Sequence, residues 1–171
     1  IVRTATLGLP LVVLFAAMAL VSGVVLGQPV PWAFLARALA VSAALVWASV
    51  GLGLVISTTV RESSRAIVCV LIAWAAGAAV LDFALIGSML AWPIPTPVVV
   101  AVAMTNPVEA ARLALLAGSD GSLDTLGPVG VFFVRRMGAG WLTAVGVAWP
   151  VVFGAVCWWI ARRRFARAEV V

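Results

Sequence analysis

Among the side chains that could do chemistry in this chain, Asp82 comes first. It is the one charged residue well inside a long apolar run, 16 residues beyond Ala66, or about 24 Å along a helix. A carboxylate at that depth lines a path or pairs with an arginine. The other reading is that it snorkels to the outer headgroups or caps a helix break near Gly87, and the residues leave both open. The absent residue types say as much. The sequence has no His and, read through, no Lys and no Tyr, so it holds no Walker lysine, no His-dependent nucleophile and no imidazole metal ligand. Cys69 and Cys157 sit in separate apolar runs without CxxC spacing and read as small hydrophobes. Met18, Met89, Met104 and Met137 are scattered, so no copper or zinc motif is visible. No catalytic residue, metal site or cofactor is expected.

Whatever chemistry exists must be positioned by membrane helices. The chain has 171 residues, 65% apolar and 10% charged, with a mean hydropathy of +1.22. A soluble domain has roughly 45–50% apolar and about 25% charged residues, so this chain cannot cover a water-facing surface. About 20 apolar residues span a hydrocarbon core of about 30 Å. Four segments meet that length, and the predicted fold class is an all-α, polytopic transmembrane bundle with spans at about 7–27, 37–59, 66–91 and 138–161. Pro150 is expected to kink the last. The chain opens Ile1-Val2-Arg3 without Met, which suggests an N-terminally truncated piece.

Between the third and fourth spans, residues 92–137 differ in character. Pro93, Pro95 and Pro97 oppose a regular helix there. The apolar stretch from Val98 to Thr105 is too short to cross, which predicts a re-entrant or interfacial excursion. Asn106-Pro107 reads as a helix start, with Asn as N-cap, Pro at the first position and Glu109 at the third, where an acid complements the dipole. An amphipathic helix over about 107–117 follows. Val108, Ala111, Leu115 and Leu116 form its apolar face, with Glu109 and Arg112 three apart on the other. Gly118 ends it. Ser119 to Gly130 is turn-rich, and Val131 to Val134 is a short apolar run before Arg135-Arg136.

Arginine counting sets the orientation. With four spans, Arg3, Arg61, Arg65, Arg162, Arg163, Arg164 and Arg167 share one side, against Arg37, Arg112, Arg135 and Arg136 on the other. That predicts both ends in the cytoplasm. Trp32, Trp92 and Trp141 then fall at the outer interface and Trp158 and Trp159 at the inner one. Trp47, Trp74 and Trp149 lie deeper, packed between helices. Gly23 and Gly27 form a G-x-x-x-G, and Ser49, Gly51 and Gly53 cluster on the second span; small residues at such spacing let helices approach in a bundle or at a dimer face. The turn from Val60 to Arg65 is a solvated hairpin whose arginines set topology, or a contact for a cytosolic partner through Arg61, Glu62 and Arg65. The net charge of +5 comes from short inter-helix positions and forms no stripe for nucleic acid.

The order of these parts resembles a known family. A span ending Gly-Leu-Gly-Leu-Val-Ile-Ser-Thr-Thr-Val (51–60) precedes the hairpin Arg-Glu-Ser-Ser-Arg-Ala (61–66) and a further span. Then come Thr-Asn-Pro-Val-Glu-Ala-Ala-Arg (105–112), Leu-Gly-Pro-Val-Gly (126–130), a last span and the basic Arg-Arg-Arg-Phe-Ala-Arg (162–167). This resembles the C-terminal part of an ABC type-2 permease, in the multicopper enzyme maturation branch, most like the permeases of nitrous oxide reductase maturation (Nos) transporters. The resemblance implies six spans in the family, of which this chain would supply the last four. It further implies a homodimer of permease subunits in the inner membrane, riding on a separate cytosolic ABC ATPase. A periplasmic partner protein would dock on the outer segment, with Asn106, Pro107, Glu109 and Arg112 as candidates. A second reading is a structural or assembly subunit of a respiratory membrane complex whose Trp-rich helices hold lipid or quinone. An intramembrane hydrolase is the third and most remote, since there is no His and no G-x-S-x-G.

Overall fold

The computed structural model describes residues 2–25, 27, 29–60, 62–80, 83, 87, 91, 95–116 and 127–168, and no strand occurs among them. Helix α1 (Val2–Leu20) runs on into a π turn, Val21–Val25, and α2 covers Trp32–Thr59. Helix α3 (Ser63–Ala75) likewise runs into a π turn, Ala76–Val80. Two short helices follow, α4 (Thr96–Thr105) and α5 (Pro107–Leu116), and then α6 (Gly127–Ala168).

Among the described residues, three helical stretches are long and apolar enough to cross a membrane: Gly8–Val25, Trp32–Thr59 and Gly140–Arg167. The expected third span, 66–91, begins as α3, but beyond Val80 only residues 83, 87 and 91 of it are described. Asp82, Arg61 and Trp92 lie outside the described residues.

The second span begins five residues earlier than the sequence reading placed it, at Trp32 instead of Arg37. Pro31 supplies the boundary, and Arg37 rides inside the helix. Pro97 does not prevent a helix either. It is the second residue of α4, in the first turn, where no intrahelical donor is lost. Residues 127–130, expected in a turn, are helical. The one break in α6 is at Gly138, whose φ of 75° is a conformation that favours glycine. The basic residues Arg162 to Arg167 continue α6 as helix.

Helices α2 and α6 form the main seam of the bundle. The buried positions of α2 are Leu35, Ala38, Val41, Ala44, Ala48 and Gly51, three or four apart, which is one helical face. On α6, Leu142, Gly146, Pro150, Gly154, Cys157 and Ala161 are buried at the same kind of spacing. The two helices run parallel, Val41 lying by Val147 at one end and Thr59 by Arg164 at the other, and they are very close. A Cβ at Gly154 would lie 2.4 Å from the Trp47 ring and 3.0 Å from the Ala48 Cα, and one at Gly51 would lie 2.9 Å from the Gly154 carbonyl oxygen. Trp47 stacks on Trp158 in this crossing, with ring centroids 5.1 Å apart. Trp158 is therefore packed inside the seam, whereas Trp74, expected between helices, is 68% exposed.

Only some of the small-residue spacing serves packing. Gly51 sits at the crossing, but a Cβ at Gly53 meets nothing within 4 Å. The Gly23/Gly27 pair is not a helix face: Gly23 lies in the π turn, and Gly27 has a φ of 59° beyond it. Helix α1 leans antiparallel on the first turns of α2. An apolar cleft of roughly 310 Å³ between them is lined by Val12, Phe15 and Ala19 of α1 and by Trp32, Leu35 and Leu39 of α2.

Candidate functional site

Helices α4 and α5 meet at Asn106, and this junction is the most polar buried point among the described residues. Each helix has 10 residues, about 15 Å of rise, or half of a hydrocarbon core. Asn106 itself is 5% exposed. It caps α5 as the sequence predicts: the Val108 N–H donates to its Oδ1 at 3.0 Å, its own carbonyl accepts from Ala110 N–H at 3.0 Å, and Pro107 takes the first helical position. The other half of the amide has a role the sequence does not reveal. Its Nδ2 donates to the Gly77 carbonyl at 2.5 Å, inside the π turn that follows α3. A π turn shifts the carbonyl ladder by one residue, and here one of its carbonyls takes the asparagine donor.

A second helix holds the other side of the break. The indole Nε1 of Trp149 on α6 donates to the Thr105 carbonyl at 3.1 Å. Without it, that last-turn carbonyl of α4 would have no intrahelical partner. Just beyond, α5 lies directly against α6: a Cβ at Gly146 would stand 2.3 Å from the Ala114 Cβ and 2.8 Å from the Ala110 carbonyl oxygen. Val41 of α2 closes the third side in a cluster with Ala111 and Ala114, flanked by Leu45, Leu115 and Val147. The buried face of α5 is thus Ala110, Ala111 and Ala114. It is rotated toward the alanines from the expected Val108, Ala111, Leu115 and Leu116, because only a small residue fits opposite Gly146.

The position along the bundle follows from helix rise. Gly77 is 14 residues beyond Ser63, so Asn106 stands about 21 Å along α3 from its start. Of the expected docking residues, Asn106 is buried inside the bundle and Pro107 is half-buried. Glu109 and Arg112 form the expected pair, Oε1 to Nη1 at 2.7 Å, with Arg112 the more exposed. Replacing Trp149 with Phe is expected to leave the Thr105 carbonyl unpaired and lower stability by about 1 kcal/mol, measured as a drop in the thermal midpoint in detergent. An unchanged midpoint would show that the carbonyl finds another donor.

The opposite end of the bundle is basic. Helix α2 ends at Thr59, Val60 and Glu62 are extended, and α3 starts at Ser63. Glu62 pairs with Arg65 at 2.7 Å, both largely exposed; such a pair adds at most about 1 kcal/mol. From α6, Arg164 donates to the Thr59 hydroxyl, and the Arg163 guanidinium lies 3.7 Å over the Trp159 ring. The hairpin residues Glu62 and Arg65 and the end of α6 therefore share one face. Comparison with known proteins gives no match: no family model, no curated protein and no solved structure aligns with the chain.

Proposed function

We propose that the chain is the transmembrane permease subunit of an ABC transporter, coupled to a separate cytosolic ATPase and serving export or periplasmic maturation of a copper enzyme such as nitrous oxide reductase. The observation that carries this reading is the helix break at Asn106. Irregular backbone at membrane depth is tolerated only when it is buried in protein or lines a cavity, and discontinuous helices are a mark of transport proteins. With the basic end at the cytoplasmic surface, α4 descends from the outer side of the inner membrane, turns at Asn106 and returns as α5, a re-entrant hairpin. On this reading 66–91 is the third of four spans, with Asp82 a few residues beyond the Gly77 contact in sequence.

The remaining parts follow from this arrangement. The basic face, with Arg61, Glu62 and Arg65 on the hairpin and Arg162 to Arg167 on α6, is the ATPase side. The exposed apolar surface of α3, which includes Ile67, Leu71 and Trp74, suits a second permease subunit, and the outer segment 92–137 suits a periplasmic partner. The branch assignment rests on the likeness at residues 105–112 and 126–130.

Purification of the protein from its native membrane is expected to bring with it a protein bearing G-x-x-x-x-G-K-[ST]. Charge reversal at Arg61 and Arg65 should reduce its recovery about tenfold, as loss of desolvated interfacial charge pairs does. Full recovery with the reversed hairpin would remove the hairpin from the interface. Respiratory-complex subunits in place of an ATPase would favour an assembly role.

A further inference from the structure

We propose that Arg37 anchors an anion site at the outer mouth of the seam between α2, α5 and α6, taking a phosphate-class group. Arg37 is one turn before Val41 and shares its helical face with Ala44 and Ala48, at i+4, i+7 and i+11. That is the face Val41 turns to Ala111 and Ala114 of α5. The guanidinium Nη1 is buried there without a hydrogen-bond partner, while the residue as a whole remains partly exposed. One nitrogen is thus buried and unpartnered on a side chain that solvent or headgroups can still reach.

A guanidinium cannot lose its charge to escape this position, so its field must be answered by an anion. No carboxylate among the described residues answers it. The described acids are Glu62, paired with Arg65, and Glu109, paired with Arg112.

Height selects the class of ligand. Arg37 precedes Thr59 by 22 residues, about 33 Å of helix, which exceeds the roughly 30 Å hydrocarbon core. It therefore stands at the level of outer-leaflet headgroups, with the largely exposed Trp32 just above it. A planar fork at that level matches phosphate oxygens in a bidentate fashion. The phosphate could belong to a phospholipid headgroup or to a soluble anion. The inference needs only that α2 crosses the membrane, and it stands whether or not an ATPase is the partner.

The test is thermal unfolding of the purified protein in lauryl maltoside. One arm adds palmitoyl-oleoyl-phosphatidylglycerol; the other adds inorganic phosphate against chloride of equal ionic strength. The wild type should be stabilised in at least one arm. A response to lipid alone assigns the site to a headgroup, and a response to inorganic phosphate as well assigns it to a free anion. Half-saturation should rise about tenfold in Arg37→Gln and less in Arg37→Lys, which keeps the charge but loses the fork. Arg167→Gln, at the opposite end, should titrate as the wild type does. If Arg37→Gln does not fold, the lysine variant decides: wild-type titration by Arg37→Lys contradicts the site. So would an equal loss in Arg167→Gln, or a wild type indifferent to both anions.

Discussion

Replacing Gly146 with valine is expected to push α5 off α6 and to cost at least about 3 kcal/mol, the upper part of the range for overpacking. The Cβ alone would stand 2.3 Å from the Ala114 Cβ and 2.8 Å from the Ala110 carbonyl oxygen. Neither atom is the end of a flexible side chain, so only separation of the helices relieves the contact. For a protein of this size that loss is about 6–12 °C in the thermal midpoint. Gly53→Ala is the control on α2. Its Cβ meets nothing, and replacing a mid-helix glycine with alanine should stabilise by up to about 1 kcal/mol. Differential scanning of the two variants in one detergent decides the matter. Equal midpoints would mean that α5 does not pack on α6 as described.

Replacing Asn106 should have the second largest effect and a more specific one. Asn106→Leu removes the α5 cap and with it the bond to Val108 N–H, worth about 1 kcal/mol, and leaves the half-buried Gly77 carbonyl without its donor, at about 1–3 kcal/mol. Interhelical hydrogen bonds in membranes are worth less, about 0.6 kcal/mol on average, so a total of about 2–4 kcal/mol is expected. Asn106→Asp separates the two functions of the side chain. An aspartate still accepts from Val108 N–H, but as a carboxylate it cannot donate to Gly77. It should therefore keep the start of α5 while releasing the α4–α5 junction from the π turn after α3. Hydrogen exchange reads this directly: faster exchange at residues 76–80 with unchanged protection at 108–111 is expected for Asn106→Asp, and faster exchange at both for Asn106→Leu. Unchanged protection at 76–80 in both variants would show that the Gly77 contact holds nothing in place.

The junction was half legible before any coordinates. Asn-Pro-x-Glu is a local signal, because N-capping satisfies donors two or three residues away, and the structure has α5 starting at Pro107. The partner of the amide was not legible, since Gly77 is 29 residues distant in an Ala/Gly run without polar side chains. Glycine spacing had the same limit. Gly51, Gly53, Gly23 and Gly27 look equivalent in sequence, but only Gly51 faces a helix crossing; Gly146 and Gly154, which carry the tightest contacts, belong to no short motif. Arg37 misplaced the start of α2 because a charge reads as a boundary. A long side chain within reach of headgroups does not end a helix whose backbone start is fixed by Pro31. The tryptophans divided for a similar reason: Trp47 and Trp158 stack because glycines open room at the seam, while Trp74 has no such slot and faces outward.

The proposed function requires that an external ATPase move the α4–α5 junction. Thr105 is exposed beside the junction, and its backbone carbonyl, not its side chain, accepts from Trp149. A single cysteine at that position, with Cys69 and Cys157 replaced by alanine, reports on the junction without dismantling it. In vesicles containing the protein and its copurified ATPase, reaction with an impermeant maleimide from the outer side should change about tenfold between the nucleotide-free and ATP-vanadate states, the size of a coupling energy of 1–3 kcal/mol. The same labelling rate in every nucleotide state, with the ATPase bound and hydrolysing, would contradict the account.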